Sequence, residues 1–178
     1  MKRKNDSHEL VLQCISEALL KLMEKKPFKD INVSELCEKA GVSRVSFYRN
    51  FNSMPDILVH YLSTGMDAWW EDFIKRSGDD ISETFWGELL TQYKKNERLI
   101  LLIDKNDMSY IIKDQIFASC GPIESQSVEE QYVRAVIAGA IYGVVEQWIK
   151  TGMKEPSIPL SIHKLLRNAK GYCMTTDE

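Results

Sequence analysis

Residues 32–51 read NVSELCEKAGVSRVSFYRNF, two short helical segments separated by a turn. Asn32 and the glutamate three positions later have capping-box spacing, which predicts a short helix over residues 33–40. Gly41 follows, and glycine ends helices because it adopts the left-handed conformation without steric cost. Ser43 is a good N-cap for a further helix that runs to the end of the stretch. Two short helices joined by a tight glycine-containing turn indicate a helix-turn-helix.

The charge around this motif favours an anionic partner. From Lys39 to Pro55 the chain has three basic residues and no acidic residue in 17 positions. We expect Val42, Val45 and Phe51 to face inward on the third helix. The remaining side chains are then donors for phosphates and base edges in a major groove: Ser43, Arg44, Ser46, Tyr48, Arg49 and Asn50. The alternative is a solvated helix face with no ligand.

Helical periodicity extends over the whole chain, and we find no period-2 alternation typical of a half-buried strand. The fold class is therefore predicted to be all-α, with about nine helices. An apolar stripe marks a first helix that ends near Met23, and Ser53 and Asp56 cap a long fourth helix that continues to Gly78. Further helices are expected at about 81–95, 97–104, 107–119, 128–151 and 159–171.

Length and composition limit the organisation of the chain. Its 178 residues, 44% hydrophobic and 28% charged, suit one domain, or a small module joined to a larger one. Residues 1–62 hold 10 Lys and Arg against 8 Asp and Glu, although the whole chain has a net charge of -3. We therefore predict a helix-turn-helix DNA-binding domain over residues 1–53 and a second helical domain over residues 54–178.

Several other function classes find no support. The longest apolar stretch is too short to cross a bilayer, and the four cysteines form no CxxC pair, so a cytoplasmic protein with no membrane partner is expected. There is no GxGxxG, P-loop, HExxH or GxSxG motif, and the three histidines are widely scattered. We expect no enzyme activity, no cofactor and no metal ion.

The motif resembles the N-terminal domain of TetR/AcrR-type transcriptional regulators. The resemblance rests on the turn Ala40 to Ser43, on Tyr48 with Phe51 at the end of the recognition helix, and on the helix start Ser53 to Leu58. It covers about residues 8–62. The later residues resemble the family only in number and total length of helices, and the resemblance implies that residues 54–178 form the regulatory and dimerisation domain.

The resemblance implies that the motif binds double-stranded operator DNA. We place the DNA contacts at Lys29, Ser34, Ser43, Arg44, Ser46, Tyr48, Arg49 and Asn50. The chain departs from the family at Val45, where glycine is frequent, and at Met54, where a lysine often donates to a phosphate. We therefore expect affinity to depend more strongly on the two arginines.

Aromatic residues are concentrated in the second part of the chain, where 13 of the 17 lie after residue 60. In the family the equivalent helices enclose a cavity for a small molecule. The candidates for lining one are Trp69, Trp70, Phe73, Trp86, Tyr93, Met108, Phe117, Tyr132 and Tyr142. The alternative for each is ordinary core filling.

Two helices near the C-terminus carry the pattern of an interface between two copies. Small residues at four-residue spacing let another helix approach the first, and an apolar stripe marks the second. The predicted interface residues are Ala135, Gly139, Gly143, Ile162, Leu165 and Leu166. A homodimer agrees with the resemblance, and the alternative is packing within one chain.

Together these patterns predict a sequence-specific transcriptional regulator, a repressor that a small-molecule effector releases from its operator. One alternative is a regulator of the same fold that acts as an activator or through a protein partner, without an inducer. A less favoured alternative is a helical enzyme or interaction module with a vestigial DNA-binding head.

Overall fold

The computed structural model describes residues 2–77 and 83–154, and its regular structure there is entirely helical. This confirms the all-α prediction. The described part contains one 3-10 turn, Phe28–Asp30, and nine α-helices: α1 Lys2–Met23, α2 Val33–Ala40, α3 Arg44–Asn50, α4 Met54–Ser63, α5 Met66–Ser77, α6 Glu83–Lys94, α7 Glu97–Lys105, α8 Tyr110–Cys120 and α9 Val128–Lys150. The helix predicted at 159–171 lies outside the described residues.

Local caps set the ends of α2 and α3 as the sequence predicts. The Asn32 side chain accepts a hydrogen bond from the Glu35 amide at 3.0 Å, and the Ser43 hydroxyl accepts one from the Ser46 amide at 3.0 Å. Between the helices, Gly41 has φ of 67°, the left-handed conformation that favours glycine. These contacts fix the turn between the two helices.

The start of α4 is also capped as predicted. Asp56 accepts hydrogen bonds from the Ser53 amide at 2.9 Å and from the Ser53 hydroxyl at 2.7 Å. The hydroxyl bond and the backbone bonds lower the pKa of the Asp56 carboxyl. Its charge is held at the helix N-terminus, where the helix dipole favours an anion.

The long fourth helix of the prediction is wrong, because the structure divides it into α4 and α5. Gly65 has φ of 85°, which a continuous α-helix does not permit. The buried Gln92 of α6 donates from its Nε2 to the Gly65 carbonyl oxygen at 2.8 Å. The same carbonyl oxygen also accepts from the Trp69 amide at 3.1 Å, so a residue far along the chain adds a second hydrogen bond at the start of α5.

The core runs through both halves of the chain. In the first half, α1 packs against α2 and α4 around Leu19, Leu36, Phe47 and Ile57, which are all fully buried. In the second half, the rings of α5 and α6 form an aromatic cluster, with 5.1 Å between the centroids of Phe73 and Phe85. Within residues 2–77 and 83–154, no helix has the length and apolar character needed to cross a membrane.

Candidate nucleic-acid interface

The solvent face of α3 differs in one position from the predicted one. Val45 was expected to face inward, but it is 70% exposed, and Phe47 is fully buried in its place. The inward positions are Phe47 and Phe51, four residues apart, so Val45 lies about 200° around the helix from Phe47. The exposed face therefore consists of Arg44, Val45, Tyr48 and Arg49.

This face, which we call the α3 face, combines two cations, an aliphatic group and a phenol. Arg44 and Arg49 are exposed, and no salt bridge holds either of them among the described residues. Tyr48 is 53% exposed and packs edge-on against Phe47, with 5.0 Å between ring centroids. The Tyr48 ring thus contacts the buried Phe47 ring, and about half of the residue remains accessible to solvent.

Two of the predicted donors already have partners within the chain. The Asn50 Nδ2 donates to the Ser46 carbonyl oxygen at 2.7 Å, and its Oδ1 lies 2.7 Å from His8 Nε2. Asn50 thus joins the start of α1 to the end of α3. The Ser43 hydroxyl serves as the N-cap of α3.

The other predicted DNA contacts flank the motif. Lys29 is exposed on the 3-10 turn, and Ser34 is exposed in the first turn of α2. Neighbouring Lys26 is paired with Glu35 instead. Lys29 is therefore the cation of this turn that is exposed to solvent.

A second feature is a cavity of about 550 Å³ between α5, α6, α8 and α9. Trp70, Phe73 and Phe85 form much of its apolar wall, with Ile74, Val133 and Ile137. Its polar lining includes Ser119, Gln126, Glu129 and Arg134. The cavity has the volume and the mixture of apolar and polar groups typical of a small-molecule site.

Three polar residues in the lining of the cavity differ in their hydrogen bonds and burial. Arg134 Nε donates to the Gly121 carbonyl oxygen at 2.6 Å, at the end of α8. Burial raises the pKa of the Cys120 thiol to about 11, and the charge of Arg134 opposes the shift. The Gln126 Oε1 is buried and has no hydrogen-bond partner among the described residues.

The predicted effector-contact residues divide into three groups. Trp70 and Phe73 line the cavity, and Tyr93 lines a narrow void beside it, where its hydroxyl donates to Gln115 Oε1 at 2.9 Å. Tyr132 is 72% exposed and is not part of the cavity wall. The others are buried or half-buried away from that wall: Trp69, Trp86, Met108, Phe117 and Tyr142.

The model of a family described as bacterial regulatory proteins, tetR family, matches residues 15–61. The matched segment begins within α1 and ends within α4, so it contains the helix pair and the whole α3 face. These residues form a DNA-binding domain of the TetR family. The TetR match itself covers the DNA-binding part, and residues after 61 lie outside it.

One solved structure is similar to this chain over its length. It is the crystal structure of a TetR transcriptional regulator from Rhodococcus sp. RHA1, with 14% sequence identity and a TM-score of 0.45. The comparison covers 97% of this chain and 100% of that chain. A similarity this low transfers no detail of the site. No curated protein matches the sequence significantly.

Polar contacts join the matched segment, residues 15–61, to the later helices of the chain. Arg98 of α7 binds two carboxylates, Glu17 of α1 at 3.0 Å and Glu24, directly after α1, at 2.7 Å. These bonds, the one to Glu24 foremost, raise the pKa of Arg98 and keep it charged. The Phe28 amide also donates to Asn106 Oδ1 at 2.7 Å, in the turn after α7. No local sequence signal marks these contacts, because the partners are far apart in the chain.

One side of α9 carries apolar and small residues that nothing covers within the described chain. Val128, Tyr132 and Val136 are each about 70% exposed. A Cβ atom built on Gly139 or Gly143 would meet no atom within 4 Å. We call this surface the α9 stripe. Ala135 is half-buried beside it, and the remaining predicted interface residues, Ile162, Leu165 and Leu166, lie outside the described residues.

Proposed function

We propose that this TetR family regulator is a transcriptional repressor that binds double-stranded operator DNA in the cytoplasm through the α3 face. We further propose residues 1–53 as the DNA-binding domain and residues 54–178 as the regulatory and dimerisation domain. The observation that carries the proposal is the α3 face itself, where Arg44 and Arg49 are exposed and no carboxylate of residues 2–77 and 83–154 pairs with either. Arginine is suited to phosphates and to guanine edges, so the face has the chemistry that DNA requires.

The same proposal assigns the remaining DNA contacts. Lys29 and Ser34 contact the phosphate backbone, and Tyr48 donates its hydroxyl to a phosphate. Ser43, Ser46 and Asn50 support the helix that enters the groove more than they read bases. This division follows from the hydrogen bonds within the chain: the Ser43 oxygen caps α3 by accepting from the Ser46 amide, and the Asn50 Nδ2 already donates to the Ser46 carbonyl oxygen.

We propose that the chain works as a homodimer joined through the α9 stripe and the segment 159–171. Three large side chains of the stripe stand in solvent, which is unfavourable unless another surface covers them. A dimer presents two recognition helices to two half-sites, and one short helix alone reads too few base pairs for tight binding.

We propose that a small-molecule effector enters the cavity and releases the repressor. The cavity supports this through its volume and through the unpaired Gln126 oxygen, which needs a donor. The effector acts only through its difference in affinity between the DNA-bound and free arrangements. Arg98 and Asn106 tie α7 and the turn after it to the DNA-binding part, and thus offer a route for coupling.

The DNA-binding proposal is tested by selection of bound duplexes from a random pool, followed by titration of the enriched site. The intact chain is expected to enrich one two-fold symmetric site, and its affinity should fall steeply with salt. The Arg44→Ala variant is the matched control, because it removes one exposed cation and leaves the core intact. Failure to enrich any sequence, with the fold intact, contradicts DNA recognition.

The effector proposal is tested by a screen for compounds that raise the melting temperature and lower operator affinity. Ile74→Trp is the control, because the larger side chain occupies the cavity from its rim. This variant should still bind the operator but should no longer respond to an active compound. Release that persists in the variant places the effector elsewhere, and a release that requires a protein favours the alternative without an inducer.

A further inference from the structure

Val45 is an exposed aliphatic side chain in the part of α3 that would reach the bases. It lies in the first turn of the helix, between Arg44 and Ser46, and is 70% exposed. The other valines between residues 8 and 50 are half-buried. Within that segment, Val45 is thus the valine that the fold leaves in water.

Packing within the chain gives no reason for a valine at this position. The inward face of α3 is filled by Phe47 and Phe51, and Val45 projects from the other side. Exposed aliphatic surface gains free energy only when a partner covers it. A valine side chain also has a single strongly preferred rotamer in a helix, so its methyl groups are held in place before any partner arrives.

The neighbours of Val45 identify the partner as DNA. Arg44, Tyr48 and Arg49 surround it on the same face and supply the donors for phosphates and base edges. Valine has no donor or acceptor, so it cannot pair with the polar groups of the groove. The major groove offers one apolar group for direct contact, the 5-methyl group of a pyrimidine, which thymine carries.

We propose that Val45 is a specificity-determining residue that contacts the 5-methyl group of one pyrimidine in each operator half-site. This inference rests on the proposed function, because it requires α3 to enter the major groove. The methyl group belongs to thymine or to 5-methylcytosine, which present the same apolar surface at the same position of the ring. Val45 thereby selects a base without a hydrogen bond, beside arginines that hold the helix in register.

The test removes the methyl group from the DNA and the side chain from the protein. The operator is first obtained by selection with the full chain, and each thymine in a half-site is then replaced by uracil. At one thymine this replacement should weaken binding of the wild-type chain about fourfold, which corresponds to about 0.8 kcal/mol for one buried methyl group. A further arm replaces each cytosine by 5-methylcytosine, so that a gain in affinity there identifies methylated cytosine as the base.

The Val45→Ala variant should bind the thymine and uracil operators with nearly equal affinity, since its side chain is too short to cover the methyl group. Val59→Ala is the matched control, because Val59 is an exposed valine on α4, outside the α3 face. That variant should keep the fourfold discrimination. Melting temperatures of both variants should stay close to that of the wild type.

Two results overturn the inference while leaving DNA binding intact. One is an operator in which no pyrimidine methyl group affects wild-type affinity. The other is a methyl effect that Val45→Ala retains in full. A chain that enriches no sequence at all defeats the proposed function as well, and this outcome is distinct because no operator is then available for substitution.

Discussion

The orientation of α3 can be tested by two truncations only two residues apart. Phe47 is fully buried in the hydrophobic core, whereas Val45 on the same helix is 70% exposed. Replacing a buried phenylalanine by alanine costs about 3–5 kcal/mol, from lost transfer free energy and from the cavity left behind. This is a large part of the total stability of a typical domain, about 5–15 kcal/mol.

The cost for Val45→Ala follows from the same structure. About a third of Val45 is buried. Truncation therefore loses about a third of the burial free energy of a fully buried aliphatic side chain, which is roughly 1.5–3 kcal/mol. Alanine regains a few tenths of a kcal/mol through its better helix propensity. The expected net effect is within about 0.5 kcal/mol of zero.

Urea unfolding followed by circular dichroism measures both effects. Phe47→Ala should lower the urea midpoint of unfolding strongly, and Val45→Ala should leave the midpoint unchanged. The reverse order, with a large loss for Val45→Ala and a small one for Phe47→Ala, would show that α3 is rotated about its axis. The α3 face would then be defined by the wrong residues.

Three further predictions concern binding. Arg44→Ala and Arg49→Ala should each weaken operator binding at unchanged melting temperature. Loss of a base contact costs about 1–3 kcal/mol and relaxes sequence preference, whereas loss of a phosphate contact weakens binding to all sequences alike. Titration of specific and random DNA separates the two roles. Tyr48→Phe should lower DNA affinity without altering stability, and equal affinity in the same titration would leave the ring with a packing role alone. Gly139→Glu should yield a folded monomer with reduced operator affinity, because the site is open within one chain; a dimer in sedimentation would exclude the α9 stripe as the interface.

The sequence was sufficient for most helix boundaries because caps act over a few residues. Asn32, Gly41 and Ser43 determine the ends of α2 and α3 through contacts within three or four positions. The start of α9 is set in the same way by Ser127, which exchanges hydrogen bonds with Glu130. Signals of this kind are visible without any knowledge of the tertiary structure.

The wrong predictions concern features that depend on contacts between residues far apart in the sequence. An apolar stripe continues across Gly65, so the pattern predicts one helix, and the break is supported by Gln92, which is 27 positions away. The face of α3 was misassigned because Val42 and Val45 have the spacing of a buried stripe, while Phe47 and Phe51 compete for the same core. Asn50 was predicted as a donor to DNA, but its Nδ2 donates to the Ser46 carbonyl oxygen, and its Oδ1 contacts His8, which is 42 positions away.

The break at Gly65 bears on how the two parts of the chain are coupled. A continuous helix transmits a rotation of one end to the other, but a left-handed glycine interrupts the rigid rod between α4 and α5. Trp70 and Phe73 of the cavity wall lie on α5, beyond that interruption. Movement of α7, in contrast, must either carry α1 with it or break the bonds of Arg98 to Glu17 and Glu24. The effector proposal therefore has two paths from the cavity to the α3 face: the packing of α8, which carries Ser119 of the cavity wall, against α4, and the ion pairs that join α7 to α1 and the residue after it.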